Sequence, residues 1–408
     1  MKSSMENGQK THGSAQHFLT IMAALLAMVG PFTIDAYLPS FPDIEQAFGI
    51  SRELLSQSLS VYLAAFAIST LFWGPLADHI GRRLVIKISL IFYILASIGC
   101  AMVDDSASFL IMRTLQGLFA SGGFIAGRAM IRDAHDATSA HRAMSQVTLL
   151  FALAPAIAPV LGGWLHDIAG WRSVFWFLAG YGVFLLFMVT FIKETLPAQH
   201  RQSMHPASVM RVYFRTLKDH QFIRMVLSLS FAFAGMFLYI AGAPTIIYDF
   251  LGLGSNDFGR QFIPMVIGMM LGAYLSSRLA AVWPARRIIA MGFSLSTIAV
   301  GLNVLQVFLL ESSLFTIIAP LVLYVFAMAL IMPGITIQAL DCFPKNRGSA
   351  ASMQGFFQMI TNAGVASFAV PLLHTKVQYF VLGQLFFLLV AVALWLSIKP
   401  ESKLVSDR

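Results

Sequence analysis

Long apolar runs, separated by short polar stretches, occupy nearly the whole chain. A helix that crosses a bilayer needs about 20 largely apolar residues, and runs of this length recur throughout the sequence. They lie near residues 18–40, 52–77, 84–103, 107–131, 141–165, 172–192, 222–248, 257–281, 287–310, 313–338, 347–371 and 376–397. The pattern therefore predicts an all-α polytopic membrane protein with twelve transmembrane helices, called spans 1 to 12 below.

The longest polar connection divides the spans into two sets of six. We interpret the sets as two pseudo-symmetric six-helix bundles, related about the membrane normal. Within the connection, the stretch "VMRVYFRTLKD" has helical spacing and is predicted to lie along the membrane surface. The predicted organisation is an N-terminal tail at 1–17, a bundle at 18–192, a linker at 193–221, a bundle at 222–397 and a tail at 398–408.

Composition and charge support a membrane protein and set its orientation. Residues are 58% hydrophobic and only 11% charged, against about 25% charged in soluble domains. The net charge is +8, but the basic residues lie between spans rather than on one polar surface, so we expect no nucleic-acid partner. With both termini cytoplasmic, 21 of the 27 Lys and Arg fall in or beside cytoplasmic segments, as the positive-inside rule requires. The exceptions are Arg52, Arg172, Arg260 and Lys376 outside, and Arg113 and Arg128 within span 4.

The loop between spans 2 and 3 reads "GPLADHIGRRLVI". Its first glycine predicts a close approach of helix backbones, and its paired arginines are typical of a cytoplasmic loop. Taken alone, the stretch is equally typical of a tight turn with orienting charges. The residues of interest are Gly74, Asp78, Gly81, Arg82 and Arg83.

Span 4 contains an arginine several residues inside its apolar run. Arg113 begins the sequence "RTLQG", and a charge at the centre of a membrane helix costs about 2.5–3.5 kcal/mol on insertion scales unless it is paired or hydrated. This cost indicates a functional residue. The alternative is a side chain that snorkels to the outer interface.

Span 5 carries the sequence "APAIAPVLGG". Pro155 and Pro159 are four residues apart, so they share one face, and each bends the helix by removing a hydrogen bond. Gly162 and Gly163 predict close packing. The alternative is an ordinary proline-kinked membrane helix.

These motifs, in this order, resemble the major facilitator superfamily, and the span 5 pattern resembles its drug:proton antiporters. Ala158 departs from that pattern, because the family usually has glycine before the proline. The stretches "IDAYLPSFPDI", "SVYLAAFAIS", "FAGMFLYIAGAP" and "FPKNRGSAASMQG" narrow the resemblance to the bicyclomycin-resistance (Bcr/CflA) branch. The resemblance implies a major facilitator fold in the bacterial inner membrane, a monomer, and a proton gradient as energy source without a cofactor.

The first apolar run ends in a carboxylate, Asp35. Span 1 runs outward and span 4 inward, so Asp35 can meet Arg113, and the resemblance places such residues in a central cavity. We predict that Asp35 is the proton site and Arg113 its partner. The alternative is a solvated helix-end residue at the outer interface, which Pro39 and Pro42 favour.

The predicted substrate surface is aromatic and adaptable. The chain has 35 Phe and 21 Met, and methionine-rich surfaces suit varied ligands. The alternative for each candidate is lipid contact or helix packing. The candidates are Tyr62, Phe66, Gln116, Phe233, Met236, Phe237, Tyr239, Met332, Gln354, Phe357 and Gln358.

No catalytic or metal-binding constellation is recognisable, so we expect a transporter and not an enzyme. The sequence predicts proton-coupled efflux of small amphipathic compounds, such as bicyclomycin- or chloramphenicol-like antibiotics. The alternative is a proton-coupled exporter of one metabolite, such as an amino acid or sugar derivative. Arg128 is predicted to snorkel, or to pair with Asp133 or Asp78.

Overall fold

The computed structural model describes residues 2–135, 137–201, 206–311, 313–344 and 347–398. All regular secondary structure in these ranges is helical. Apart from its first residue, the predicted C-terminal tail at 398–408 lies outside the described residues.

Within these described ranges, twelve helices are long and apolar enough to cross a membrane, which confirms the predicted count. Span 1 is Gln16–Phe48: it begins within the helix Lys2–Asp35, which also includes most of the predicted tail, and continues through a short turn, Leu38–Ser40, into the helix Phe41–Phe48. Spans 2 to 12 are Arg52–Ile80, Arg82–Met102, Ser106–Ala134, Ala137–Ala169, Arg172–Thr190, His220–Ala241, Phe258–Leu279, Ala285–Leu309, Leu314–Asp341, Arg347–Gly364 and Val377–Leu396.

Two spans continue into wider helical turns. A π-helical segment, Thr245–Phe250, follows span 7, and another, Val365–Ala369, follows span 11 and leads into the short helix Val370–Leu373. The linker between the bundles contains the amphipathic helix Pro206–Lys218, called the linker helix below. We call the end of the molecule that carries this linker the linker face, and the other end the opposite face.

The two bundles repeat one packing plan. In the first, span 4 packs against spans 2 and 3, and span 1 against span 5. In the second, span 10 packs against spans 8 and 9, and span 7 against span 11. The equivalent spans in each bundle therefore make equivalent contacts, as expected for two pseudo-repeats.

The bundles meet through span 2 against span 11 and span 5 against span 8. Hydrogen bonds and ion pairs between the bundles cluster toward the opposite face, which they close. The joined residues are Gln57 with Ser367, Ser60 with Ala363, Tyr248 with Pro39, Asp167 with Ser255 and Asn256, Arg52 with Asp249, and Glu53 with His374.

Candidate functional site

Arg113 lies fully buried in the first bundle, with an exposed fraction of 0%. Its guanidinium carbon is 4.3 Å from the ring centre of Tyr37 and 4.7 Å from that of Tyr62. Aromatic faces attract a cation and partly replace its lost hydration. The snorkelling alternative is therefore wrong, because the side chain turns into the bundle and not toward an interface.

Hydrogen bonds fix the arginine to two spans. Arg113 Nη1 donates to the carbonyl oxygen of Thr33 at 3.3 Å and to Gln116 Oε1 at 2.8 Å. Gln116 in turn donates from Nε2 to Ser97 Oγ at 2.8 Å. The predicted cavity residue Gln116 thus holds Arg113 in place and is itself anchored to span 3.

The same network reaches span 1 through Tyr93. Its hydroxyl lies 2.7 Å from Thr33 Oγ1, and its carbonyl accepts a hydrogen bond from Ser97 Oγ at 2.8 Å. Sequence reasoning missed Thr33, Tyr93 and Ser97. The available signal was the helical spacing of Tyr93 and Ser97, four residues apart on one face of span 3.

Two donors of Arg113 remain without a hydrogen bond. Within the described residues, neither Nε nor Nη2 of Arg113 has an acceptor, although both atoms are buried. A buried donor without an acceptor costs about 1–3 kcal/mol, and more on a charged group. The site can therefore take an acceptor from another group, such as a carboxylate or a carbonyl.

Asp35 is also buried, with 3% of its surface exposed. The alternative of a solvated helix-end residue is therefore wrong. Pro39 and Pro42 do not carry the chain straight into water; the chain turns at 38–40 and continues as the helix Phe41–Phe48. The position of the prolines in the sequence could not reveal this continuation of the chain.

Asp35 and Arg113 make no ion pair within 4.0 Å in the part of the chain that the structure describes. Arg113 nevertheless bonds to span 1 close to Asp35, because the carbonyl oxygen of Thr33 that accepts from its Nη1 at 3.3 Å lies two residues before the aspartate. The two predicted coupling residues therefore share one neighbourhood without touching in this conformation.

The span 5 glycines allow close contact with the backbone beside Asp35 and with the second bundle. A Cβ atom on Gly162 would come 1.8 Å from the carbonyl oxygen of Ala36, and one on Gly163 would come 2.4 Å from that of Ser255. Pro159 is buried and Pro155 half-buried, both inside one uninterrupted helix.

At the linker face, the arginines of the span 2–3 loop are bound on both sides. Arg82 pairs with Asp78 and, through Nε, with Asp133 Oδ2 at 3.2 Å. Arg83 donates to the carbonyl oxygens of Val189 at 3.3 Å and Thr190 at 2.8 Å. The loop thus connects the ends of spans 2, 4 and 6.

Glu194, which follows span 6, binds the backbone of the span 2–3 loop, a role that was not predicted from the sequence. Its carboxylate accepts hydrogen bonds from the backbone amides of Arg82 and Arg83 at 3.1 and 3.0 Å, where span 3 begins with free donors. Gly81 has a φ of +106°, and a Cβ atom there would come 2.6 Å from Glu194 Oε2.

The close approach predicted at Gly74 is wrong in this conformation. A Cβ atom there would meet only the Ile125 side chain, at an ordinary 3.9 Å. Arg128 is exposed, 4.0 Å from the ring centre of Phe124. The two carboxylates considered as partners of Arg128, those of Asp78 and Asp133, pair with Arg82 instead. The contact that the described structure shows for Arg128 is the one with the Phe124 ring.

The aromatic candidates in span 2 adjoin the arginine site. The ring centres of Tyr62 and Phe66 are 6.2 Å apart, and Phe66 lies 6.3 Å from Phe124 on span 4. The three rings form a row that begins at Tyr62, beside Arg113, and leads away from it along the span; Tyr62 and Phe66 are buried in this conformation.

Tyr239 has a different environment. Its hydroxyl accepts a hydrogen bond from Asn303 Nδ2 at 2.8 Å, its carbonyl accepts one from Gln261 at 2.8 Å, and its ring packs on Phe380. Tyr239 therefore belongs to the core of the second bundle in this conformation. Its prediction as a cavity residue came from its position on span 7, which does not tell the two faces apart.

The other second-bundle candidates are spread over spans 7, 10 and 11. Met236 and Phe237 are buried, whereas Phe233, Met332 and Gln358 are half-buried. Gln354 donates to Thr336 Oγ1 at 2.9 Å. Phe357 lines an apolar groove of 720 Å³ between spans 7, 11 and 12.

Comparison with known proteins defines the class of this molecule. The model of the Major Facilitator Superfamily matches residues 23–369. The chain therefore belongs to the Major Facilitator Superfamily and is a transporter, not an enzyme.

Three relatives have low sequence identity to this chain, but their alignments cover most of both proteins. The "Uncharacterized MFS-type transporter YdgK" of Bacillus subtilis is 26% identical, over 87% of this chain and 89% of that protein. The "Bicyclomycin resistance protein homolog" of Haemophilus influenzae is 25% identical, over 86% and 90%. The "Multidrug resistance protein MdtL" of Shewanella sp. is 28% identical, over 83% and 85%.

Solved structures show the same fold. A crystal structure of a D-xylose–proton symporter superposes with a TM-score of 0.76, covering 95% of this chain and 99% of that one at 15% identity.

Proposed function

We propose that the protein exports small amphipathic compounds, such as bicyclomycin- or chloramphenicol-like antibiotics, in exchange for protons across the bacterial inner membrane. The observation that carries this proposal is the buried Arg113, held between two tyrosines in the neighbourhood of the buried Asp35. Relatives named for bicyclomycin and multidrug resistance support the class of substrate.

Asp35 is the proposed proton carrier. Burial favours a protonated carboxylate, and a nearby cation favours the ionised form. Spans 1 and 4 carry the two groups, so a change in their relative position alters the balance between the two forms. Proton uptake and release then follow the conformational cycle.

Arg113 is the proposed partner, and its two free donors give it a second task. An acceptor on the substrate can occupy these donors while a donor on the same substrate binds the ionised Asp35. Protonation of Asp35 removes the negative charge that the substrate donor needs, so the proton and the substrate each weaken the binding of the other, as antiport requires.

The membrane potential and the pH gradient both contribute to the proposed driving force. Moving one charge across 100 mV supplies about 2.3 kcal/mol, and each pH unit adds about 1.4 kcal/mol. We propose that the linker face is cytoplasmic together with both termini, in agreement with the excess of Lys and Arg there.

The test is substrate-induced proton release from proteoliposomes, comparing the wild type with Asp35→Asn. The variant keeps the shape of the side chain but cannot carry a proton, so coupled transport should be lost. Asp104→Asn is the matched control, because Asp104 is exposed and pairs only with Arg172 at 2.6 Å in the described structure.

Coupled transport that survives in Asp35→Asn at the wild-type rate would overturn the assignment of the proton site. A panel of unrelated antibiotics and polar metabolites tests the class of substrate. Selective transport of a single amino acid or sugar derivative would favour the metabolite exporter instead.

A further inference from the structure

The linker helix leaves an apolar row uncovered. Met210, Phe214 and Leu217 are 47%, 57% and 42% exposed. Their spacing of four and three residues places them on one face of the helix. The helix lies at the end of the spans, where this face can enter the boundary between headgroups and acyl chains.

A row of cations lies beside the apolar row. The row consists of three exposed residues, Arg211, Arg215 and Lys218. Each follows one residue of the apolar row by one position, so the cationic row is rotated by about 100° around the helix axis from the apolar row. None of the three has a carboxylate within 4.0 Å among the residues described. Their charges are therefore available to an anion outside the protein.

The third face of the helix attaches it to the protein. Tyr213 and Thr216 are buried on the side away from the cations. The helix therefore has one face toward the spans, one apolar face and one cationic face. This is the arrangement of an interfacial helix on a membrane with negative headgroups.

We propose that the linker helix binds anionic phospholipids in the leaflet at the linker face. Their phosphate groups would lie against Arg211, Arg215 and Lys218. Their acyl chains would lie under Met210 and Phe214. Charge complementarity selects the anionic headgroup, since a zwitterionic lipid offers the same apolar contact without net charge.

The bound lipid would act on the first bundle through Tyr213 and on the second through the packing of the linker helix against span 11. The Tyr213 hydroxyl donates to the carbonyl oxygen of Leu71 in span 2 at 3.0 Å. Burial raises the pKa of Tyr213. The phenol therefore stays protonated at neutral pH and keeps donating.

The Leu71 carbonyl is available for a structural reason. Pro75 lies four residues later in span 2 and has no N–H to donate to it. Tyr213 fills this position from the linker. Anionic lipid that holds the linker helix in place thus favours the arrangement of the two bundles seen here.

The test measures lipid enrichment around the full-length protein in bilayers of equal phosphatidylglycerol and phosphatidylcholine, by mass spectrometry after mild extraction. Each cation near an anionic surface contributes about a fivefold preference, so three can give up to about a hundredfold. The triple variant Arg211→Gln, Arg215→Gln, Lys218→Gln should lose most of the phosphatidylglycerol enrichment.

The matched control neutralises three other exposed cations on the same face, with Arg278→Gln, Arg286→Gln and Arg287→Gln. This control should keep the enrichment. Equal enrichment in the wild type and the linker variant, or an equal loss in the control, would overturn the proposal. Thermal unfolding of each variant shows whether it is folded.

A second measurement tests the apolar face. The variant Phe214→Trp adds one tryptophan on this face, and its fluorescence is the difference between the variant and the wild type. Brominated phosphatidylglycerol should quench this difference more strongly than brominated phosphatidylcholine does. Absence of quenching would mean that protein covers this face, and would overturn the proposal. Both measurements use no substrate and no proton gradient, so they stand apart from the proposed transport function.

Tyr213→Phe separates binding from its effect. Lipid enrichment should be unchanged, while the stabilising effect of phosphatidylglycerol on thermal unfolding should fall at least severalfold. If Tyr213→Phe keeps the full effect, then lipid binding is not transmitted through Tyr213.

Discussion

A single side chain, Arg113, determines the polar chemistry of the first bundle. Its charge was recognisable in the sequence because charges inside apolar runs are rare. Its partners were not, because Thr33, Ser97 and Gln116 are uncharged and come from three different spans. Only the packing of spans 1, 3 and 4 brings them together.

The geometry of Arg113 makes a specific demand on the side chain. Lysine carries the same charge, but it lacks the planar fork that lies between two rings and donates in several directions. We expect Arg113→Lys to retain the fold and to lose substrate-coupled proton release by at least tenfold. Reconstituted transport and thermal unfolding, measured together, check both parts.

Arg128→Lys is the control for this substitution, because Arg128 lies in the same span but is exposed. It should retain transport close to the wild type. Equal transport by Arg113→Lys and the wild type would show that only the charge at this position matters.

At the scale of elements, the twelve spans follow from the length of the apolar runs, because a bilayer of fixed thickness requires about 20 such residues. The breaks in regular helix do not follow. The π-helical segments Thr245–Phe250 and Val365–Ala369 lie in runs that are as apolar as the spans themselves. Both segments lie beside a proline, Pro244 and Pro371. The carbonyl of Ser367, to which Pro371 cannot donate, accepts a hydrogen bond from Gln57 of the first bundle at 3.0 Å.

Span 5 gives a prediction about the contact between bundles. Gly163→Val adds a branched side chain where a Cβ atom alone would lie 2.4 Å from the Ser255 carbonyl oxygen. Overpacking of this kind costs about 1–3 kcal/mol, and here it disfavours closure of the opposite face. We expect spin labels on spans 5 and 8 at that face to report a longer mean distance.

Gly180→Val in span 6 is the matched control, since no atom lies within 4 Å of a Cβ atom there. It should leave the distance distribution unchanged. If Gly163→Val kept the wild-type distance between the spin labels, the backbone at Ser255 would have to shift locally to admit the valine without separating the bundles.

At the scale of the whole molecule, polar contacts at the opposite face hold the two bundles in the present arrangement. Arg52 contributes one of them, because it pairs with Asp249 of the second bundle while it bonds Glu45 in its own bundle at 2.6 Å. The sequence placed Arg52 at this face as an exception to the charge rule. It did not reveal the role of Arg52 as a connection between bundles.

We expect Arg52→Gln to weaken closure of the opposite face by about 1 kcal/mol or less, because the Asp249 side chain is half exposed and solvent screens the pair. The population with a separated opposite face should rise accordingly in spin-label distance measurements. Arg260→Gln is the control, because Arg260 pairs only within the second bundle, with Asp257 at 3.0 Å in the described structure. An unchanged population in Arg52→Gln would assign closure to the remaining contacts.

The hydrogen bond from Tyr213 to Leu71 has a consequence for biosynthesis. The first bundle leaves the ribosome with one backbone carbonyl of span 2 unpaired, because Pro75 cannot bond to it. The group that pairs with this carbonyl arrives only with the linker, just before the second bundle is made. The linker can thus dock on the finished first bundle at this carbonyl before span 7 has entered the membrane.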